Sequence, residues 1–367
     1  MAGFPHFAAA SFRAAFPFAE IEFNHPAFPG AVSLRAFNPF IPGNDLDSGI
    51  PAALFTIRLR NATAAPIRYT VCGALSNPLP AQNIHHLIEQ DGVRALHLGT
   101  SAFGDDPANF HLGDLTLATD AAETSFQRYN YHGGWFDALE VYWHDLCAPG
   151  AFKDRNYDQP GANNTGLLAA HRTLAPGECA EVRFVIAWNF PNMENYWNKA
   201  AGEKAAELGV PNHWRNHYAT RFLNSQHAAA YALRGWAQLE AESLRFCQAL
   251  FGSTLPTEVL DAVSANISIL KTPTVLRLED GSFYAFEGCH ADAGCCEGSC
   301  THVWNYSQAL AFLFPALERS MRDLNFDHNQ TQAGGMRFRL ALPLALDADT
   351  FAPFRACIDG QYGDVLK

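Results

Sequence analysis

Apolar and polar positions alternate along residues 53–60. Ala53, Phe55, Ile57 and Leu59 interleave with Leu54, Thr56, Arg58 and Arg60, and Asn61 ends the run. A period of two over that length predicts a half-buried antiparallel strand. A turn-rich approach from Ala36 to Asp45 precedes it, and residues 67–72 continue as another short strand. Leu112, Leu115 and Leu117 mark further strand material around Gly113 and Asp114. Residues 174–178 form a turn that opens a strand over 182–188. Residues 146–165, rich in Pro, Gly, Asn and Asp, read as a long loop. Short strands divided by Pro/Gly clusters suggest an antiparallel β-sandwich over residues 1–215.

Near residue 215 the period changes. Residues 214–218 are expected to open a helical region. Residues 228–250 place Leu233, Trp236, Leu239, Phe246 and Leu250 at helical offsets, with Gly252 as the stop. Residues 216–254 therefore read as connecting helices, and 255–367 as a further unit. Leu255-Pro256-Thr257-Glu258 starts its first helix. A hairpin follows over 274–278 and 283–286, turning at Glu279-Asp280-Gly281. A loop dense in Cys, His, Glu, Asp and Gly comes directly off its second strand. That loop feeds an apolar stripe of Ala309, Leu310, Phe312, Leu313 and Leu317 at helical spacing. A loop of reactive side chains set on a buried scaffold is a usual way to build a site.

Composition bounds the reading. With 367 residues, 48% hydrophobic and 17% charged, the chain is globular and long enough for two domains. Its Phe count of 28, with 21 Pro and 27 Gly, suits sheets joined by many turns. A formal charge of −12 argues against nucleic acid or an anionic membrane as partner. The nine cysteines are an odd number without framework spacing, so they read as reduced thiols of an intracellular, cytoplasmic protein. No signal peptide is visible, and no apolar run reaches the ~18 residues of a membrane span.

Three chemistries compete in the loop. Cys289, His290, Cys295, Cys296, Cys300 and His302 have the composition of a metal site, but zinc sites show two spaced ligand pairs and only one knot exists here. A cysteine nucleophile with His302 as base is chemically open, though nothing singles out one thiol. Glu287 is the sharper candidate. It follows a strand, precedes Gly288 and stands among Phe283, Tyr284, Phe286, Trp304 and Tyr306. Aromatic rings suit sugar faces while a carboxylate handles the anomeric carbon. A structural role for Glu287 remains open on residues alone, and Asp292, Glu297 and Asp359 compete with it.

The order of motifs resembles glycoside hydrolase family 116, the bile-acid β-glucosidase or non-lysosomal glucosylceramidase family, in its bacterial form. The motifs are Ala36-Phe37-Asn38-Pro39-Phe40-Ile41-Pro42, Asp47-Ser48-Gly49-Ile50-Pro51-Ala52-Ala53, Leu255-Pro256, Asp280-Gly281-Ser282-Phe283 and Glu287-Gly288. Further on come Cys300-Thr301-His302-Val303-Trp304-Asn305-Tyr306, Leu313-Phe314-Pro315-Ala316-Leu317-Glu318-Arg319-Ser320 and Asp359-Gly360-Gln361. The resemblance implies a multidomain α and β protein: an N-terminal antiparallel β-sandwich followed by the beginning of an (α/α)6 toroid. It implies a retaining β-glycosidase acting on a β-linked glucoside or glycolipid such as glucosylceramide, without metal or organic cofactor. Glu287 falls on the family nucleophile. The family's acidic sugar-binding residue falls near Thr301 and His302, where this chain has no acid. Thr301, His302, Trp304 and Asp359 are the expected sugar-pocket residues. The family's general acid/base, an Asp further into the toroid, is expected beyond Lys367, and the opening of the sandwich before Met1. The chain is therefore read as an internal fragment, inactive alone. The alternative is a non-catalytic carbohydrate-binding or Cys/His metal-binding module.

Overall fold

The structure is a computed structural model. It describes residues 4–102, 109, 111–135, 137–148, 150–289, 294–295, 298–346, 349, 351 and 355–367, with the backbone alone at 289, 294 and 295.

The first half is built on one eight-stranded antiparallel sheet. Its strands are β1 (Ala9–Ala15), β2 (Phe18–Asn24), β3 (Gly30–Phe37), β4 (Ala52–Asn61), β6 (Asn83–Gln90), β7 (Val93–Thr100), β8 (Asp114–Thr119) and β11 (Cys179–Asn189), in the order β1-β2-β3-β4-β11-β8-β7-β6. The smaller sheet has the order β5-β10-β9, from β5 (Ile67–Ser76), β9 (Thr124–Gln127) and β10 (Thr165–Leu174). Phe55, Ile57, Leu59, Leu117 and Phe184 of the large sheet pack against Tyr69, Leu168 and Ala170 of the small one. This is the expected sandwich. Short helices α1 (Asp45–Ser48) and α2 (Ala138–Cys147) interrupt the strands.

The strand over 53–60 is buried on both faces, not one. Ala52, Leu54 and Thr56 are as buried as Leu59 on the opposite face. Helices cover that side. The chain passes through α3 (Lys199–Leu208) and α4 (Tyr218–Arg221) to α5 (Ser225–Arg234) and α6 (Trp236–Phe251). Ala228, Ala229, Ala232, Leu233 and Trp236 pack on Leu54, Val185 and Ala187. Three alanines let the α5 backbone lie close to the sheet. The single helix expected over 228–250 is two, broken at Gly235, where a helix interior is weakest.

The helical region expected from residue 214 begins only at Tyr218, the first residue of α4. Strand β13 (His213–Arg215) pairs with β12 (Asn192–Glu194). Long-range bonds override local propensity here: the Asn216 amide donates to the Pro191 carbonyl, and the His217 amide to the Arg277 carbonyl.

The second half is helical. It contains α7 (Thr257–Ser268), the hairpin β14 (Val275–Arg277) and β15 (Phe283–Ala285), and a small ladder of β16 (Gly288–Cys289) with β17 (Gly294–Cys295). Helices α8 (Thr301–Trp304), α9 (Ala309–Leu313), α10 (Pro315–Leu324) and α11 (Ile358–Leu366) follow. The apolar stripe from 309 is interrupted. Phe314, held out of helical conformation before Pro315, separates α9 from α10, and Phe312 is 84% exposed. Among the described residues no helix is long and apolar enough to cross a membrane.

The motif over 36–42 joins the two halves. Phe40 is fully buried, edge-on to Phe16 at 4.9 Å and to Phe314 at 5.2 Å. The Gly43 amide donates to the Leu313 carbonyl at 2.7 Å, and Lys271 Nζ to the Pro39 carbonyl at 2.7 Å. Arg277 pairs with Asp45 at 2.6 Å, tying the hairpin to α1. The sandwich therefore sets the position of the hairpin from which Glu287 departs.

Candidate active site

The hairpin is specified locally. Ser282 donates its amide to Asp280 Oδ1 at 2.8 Å, and Gly281 adopts φ +95°, which a side chain rarely tolerates. Val275 faces Ala285 and Arg277 faces Phe283. The Phe286 amide donates to the Thr274 carbonyl at 2.8 Å, one step past the ladder, and the chain then leaves the sheet at Glu287. Behind this point Ser299 is locked to Ala285 in both directions: its amide donates to the carbonyl at 2.6 Å, and its Oγ accepts from the amide at 3.1 Å.

Glu287 is held at the rim of this buried frame. Its side chain keeps 27% of its surface exposed, and its Oε1 lies 2.9 Å from Arg339 Nη2. The Cys300 thiol donates to the same carboxylate. Burial, together with the Glu287 charge and against backbone hydrogen bonds, pushes that thiol up to about 11. Cys300 is thus a protonated donor at neutral pH and an unsuitable nucleophile.

Arg339 arrives on a segment stitched to the loop. The Leu340 amide donates to the Gly298 carbonyl at 2.7 Å, and the Thr301 amide to the Phe338 carbonyl at 2.9 Å. Gly298 has φ +96°, and a Cβ there would stand 2.0 Å from the Leu340 carbonyl oxygen. Only glycine permits that approach.

A second cluster lies on α8 and α11. His302 Nδ1 is hydrogen-bonded to Asp359 Oδ2, and the Tyr306 hydroxyl lies 3.5 Å from the same oxygen. The hydrogen bond from His302 holds the Asp359 carboxyl below the usual carboxylate range. Helix α11 is fixed to α10 by the buried ion pair of Arg322 with Asp364, and Glu318, one turn before Arg322 on α10, pairs with the same guanidinium at 3.1 Å. Asp359 is thereby presented at a set position.

The predicted residues divide into two groups. Glu287, His302 and Asp359 reach the surface. Thr301 and Trp304 lie behind it, buried. The Thr301 hydroxyl donates to the Arg337 carbonyl at 3.1 Å, and the Trp304 indole N–H to the Phe286 carbonyl at 3.0 Å. Of the five aromatics near Glu287, Phe283, Tyr284, Phe286 and Trp304 are core, and Tyr306 is 68% exposed. Asp292, Glu297, His290 and Cys296 lie outside the described residues, as do the side chains of Cys289 and Cys295. Among the described residues no group of three or more His, Cys, Asp or Glu could hold a metal. Arg339 escaped the sequence reading. Its signal is the Arg337/Arg339 alternation within Met-Arg-Phe-Arg-Leu, two charges at period two in an apolar run.

Over residues 3–239 the sequence matches the family model described as beta-glucosidase 2, glycosyl-hydrolase family 116 N-term. That match makes residues 3–239 the N-terminal domain of a glycosyl-hydrolase family. The chain belongs to glycosyl-hydrolase family 116. No curated protein matches the sequence. Among solved structures, a protein described as a kojibiose phosphorylase from the human microbiome is similar at 10% identity and a TM-score of 0.28, over 64% of this chain and 23% of that one. The chain thus spans about a quarter of that relative's length.

Proposed function

We propose that the protein is a retaining β-glycosidase acting on β-linked glucosides, glycolipid glucosides among them, through a covalent intermediate on Glu287. The observation that carries this reading is the Glu287 carboxylate, reachable from solvent, set at a strand end and gripped by Arg339 in a chain of a glycoside-active family.

The chemistry follows from two carboxyl groups about 5–5.5 Å apart in retaining enzymes. Glu287 attacks the anomeric carbon as the bond to the leaving oxygen breaks and a general acid protonates that oxygen. Water, activated by the same acid as its conjugate base, then displaces Glu287. The acid/base is proposed to lie outside the residues assigned here. His302 and Asp359 are proposed to hydrogen-bond sugar hydroxyls at the rim, with Tyr306 as a stacking surface. Thr301 and Trp304 support the sugar pocket from beneath.

Azide rescue tests this reading. Glu287→Gly in the full-length protein should lose turnover of an aryl β-glucoside, and added azide should restore it with an α-glucosyl azide as product. Turnover that survives the substitution, or azide that restores nothing, argues against Glu287 as nucleophile.

A further inference from the structure

Arg339 is placed with more care than a surface ion pair requires. The segment carrying it is tied on one side to Gly298 and Thr301, and on the other by a bridge between Arg337 and Ala356. The Tyr284 hydroxyl, from the strand that delivers Glu287, donates to the Leu340 carbonyl at 3.3 Å. The carboxylate and the guanidinium, 52 residues apart in sequence, therefore stand on one cross-braced frame.

We propose that Arg339 is a positioning residue for the reaction assigned above: its guanidinium fixes the direction of the Glu287 carboxylate and keeps it ionised for attack. The inference rests on Glu287 being the nucleophile. A glutamate at the end of a strand can rotate about its terminal torsions, and only some orientations point an oxygen at an anomeric carbon. A guanidinium 2.9 Å from Oε1 removes that freedom. An adjacent positive charge also disfavours the protonated acid, which cannot attack.

The ion pair is given up in the first step and regained in the second. As the Glu287 oxygen bonds to the anomeric carbon, the leaving oxygen takes the electron pair of the broken bond, and Arg339 faces a neutral ester. When water adds to the same carbon, the carbon–Glu287 bond breaks and its electron pair returns to the carboxylate, which Arg339 pairs again. Arg339 and Cys300 are titratable groups in contact with Glu287. Tyr284 on its own strand turns its hydroxyl to Leu340, and Arg337, two residues before Arg339, is buried.

The test uses 2,4-dinitrophenyl 2-deoxy-2-fluoro-β-D-glucoside, whose leaving group needs no acid catalyst. Labelling of the full-length protein is followed by mass spectrometry from pH 4 to 8, with melting curves to confirm folding. Arg339→Gln should label about 10²-fold more slowly at its plateau, with the acid limb moved up by about one pH unit or more. Arg339→Lys should return the acid limb towards the wild-type position and recover only part of the rate, since an ammonium lacks the planar geometry of guanidinium. A folded Gln variant with wild-type rate and acid limb overturns the inference while Glu287 stands. If the Gln variant does not fold, a Lys variant labelling at the wild-type rate overturns it. Wild-type protein that does not label at Glu287 overturns both readings.

Discussion

Trp304 donates its indole N–H to the Phe286 carbonyl at 3.0 Å, so a buried ring holds the peptide that enters Glu287. Trp304→Phe keeps an aromatic ring but leaves that carbonyl unpaired. A buried unsatisfied acceptor costs about 1–3 kcal/mol. The expected result is a lower melting temperature in calorimetry and slower covalent labelling at Glu287. A variant equal to wild type in both would show that the contact neither stabilises nor positions.

Gly298 tests the bracing of Arg339. A methyl group at this position would meet the Leu340 carbonyl oxygen, and the backbone lies at φ +96°. Gly298→Ala should destabilise by about 1–3 kcal/mol from backbone conformation alone, with displacement of the Arg339 segment added. Chemical denaturation measures the first effect. The labelling pH profile measures the second, which should shift in the same direction as in Arg339→Gln.

The sandwich should weaken in acid through its buried histidines. Burial pushes His85 down to about 4, and its neutral form is satisfied: Nδ1 bonds the Arg128 carbonyl at 2.5 Å, and Asn77 Nδ2 stands 3.1 Å from Nε2. Burial also lowers His97 and His171. A histidine whose folded value is depressed binds fewer protons folded than unfolded. Stability is therefore full above pH 6.5 and is lost as pH falls from there towards 4. Melting temperatures across that window should decline, and His85→Gln should flatten the decline. A flat wild-type profile would contradict the assignment.

The legible and illegible parts of the fold separate by range. The 53–60 alternation, the hairpin at Gly281 and the helix begun at Pro256–Thr257 are written in neighbouring residues, and each stands where it was expected. Strand β13 was not legible, because its conformation is set by Asn192–Glu194 and by backbone bonds to Pro191 and Arg277. The helices α2 and α3 passed unnoticed because they lie within residues 1–215, read throughout as strands and turns. The second buried face of β4 depends on α5, about 170 residues later. In the candidate site, Glu287 was found from its own neighbourhood. Its partner Arg339 was not, since the Arg337/Arg339 alternation marks two charges but not a contact made across 52 residues. Trp304 and Thr301 lie near Glu287 in sequence, but their side chains point beneath it into the core.

The proposed mechanism requires Glu287 to bond covalently to the sugar. Peptide mass spectrometry of the full-length protein after treatment with the fluorinated glucoside tests it most directly. One added fluoroglucosyl group is expected, located on the peptide that contains Glu287 and absent from Glu287→Gln. A label on another carboxylate, or release of product with no label under conditions that trap an intermediate, would contradict it.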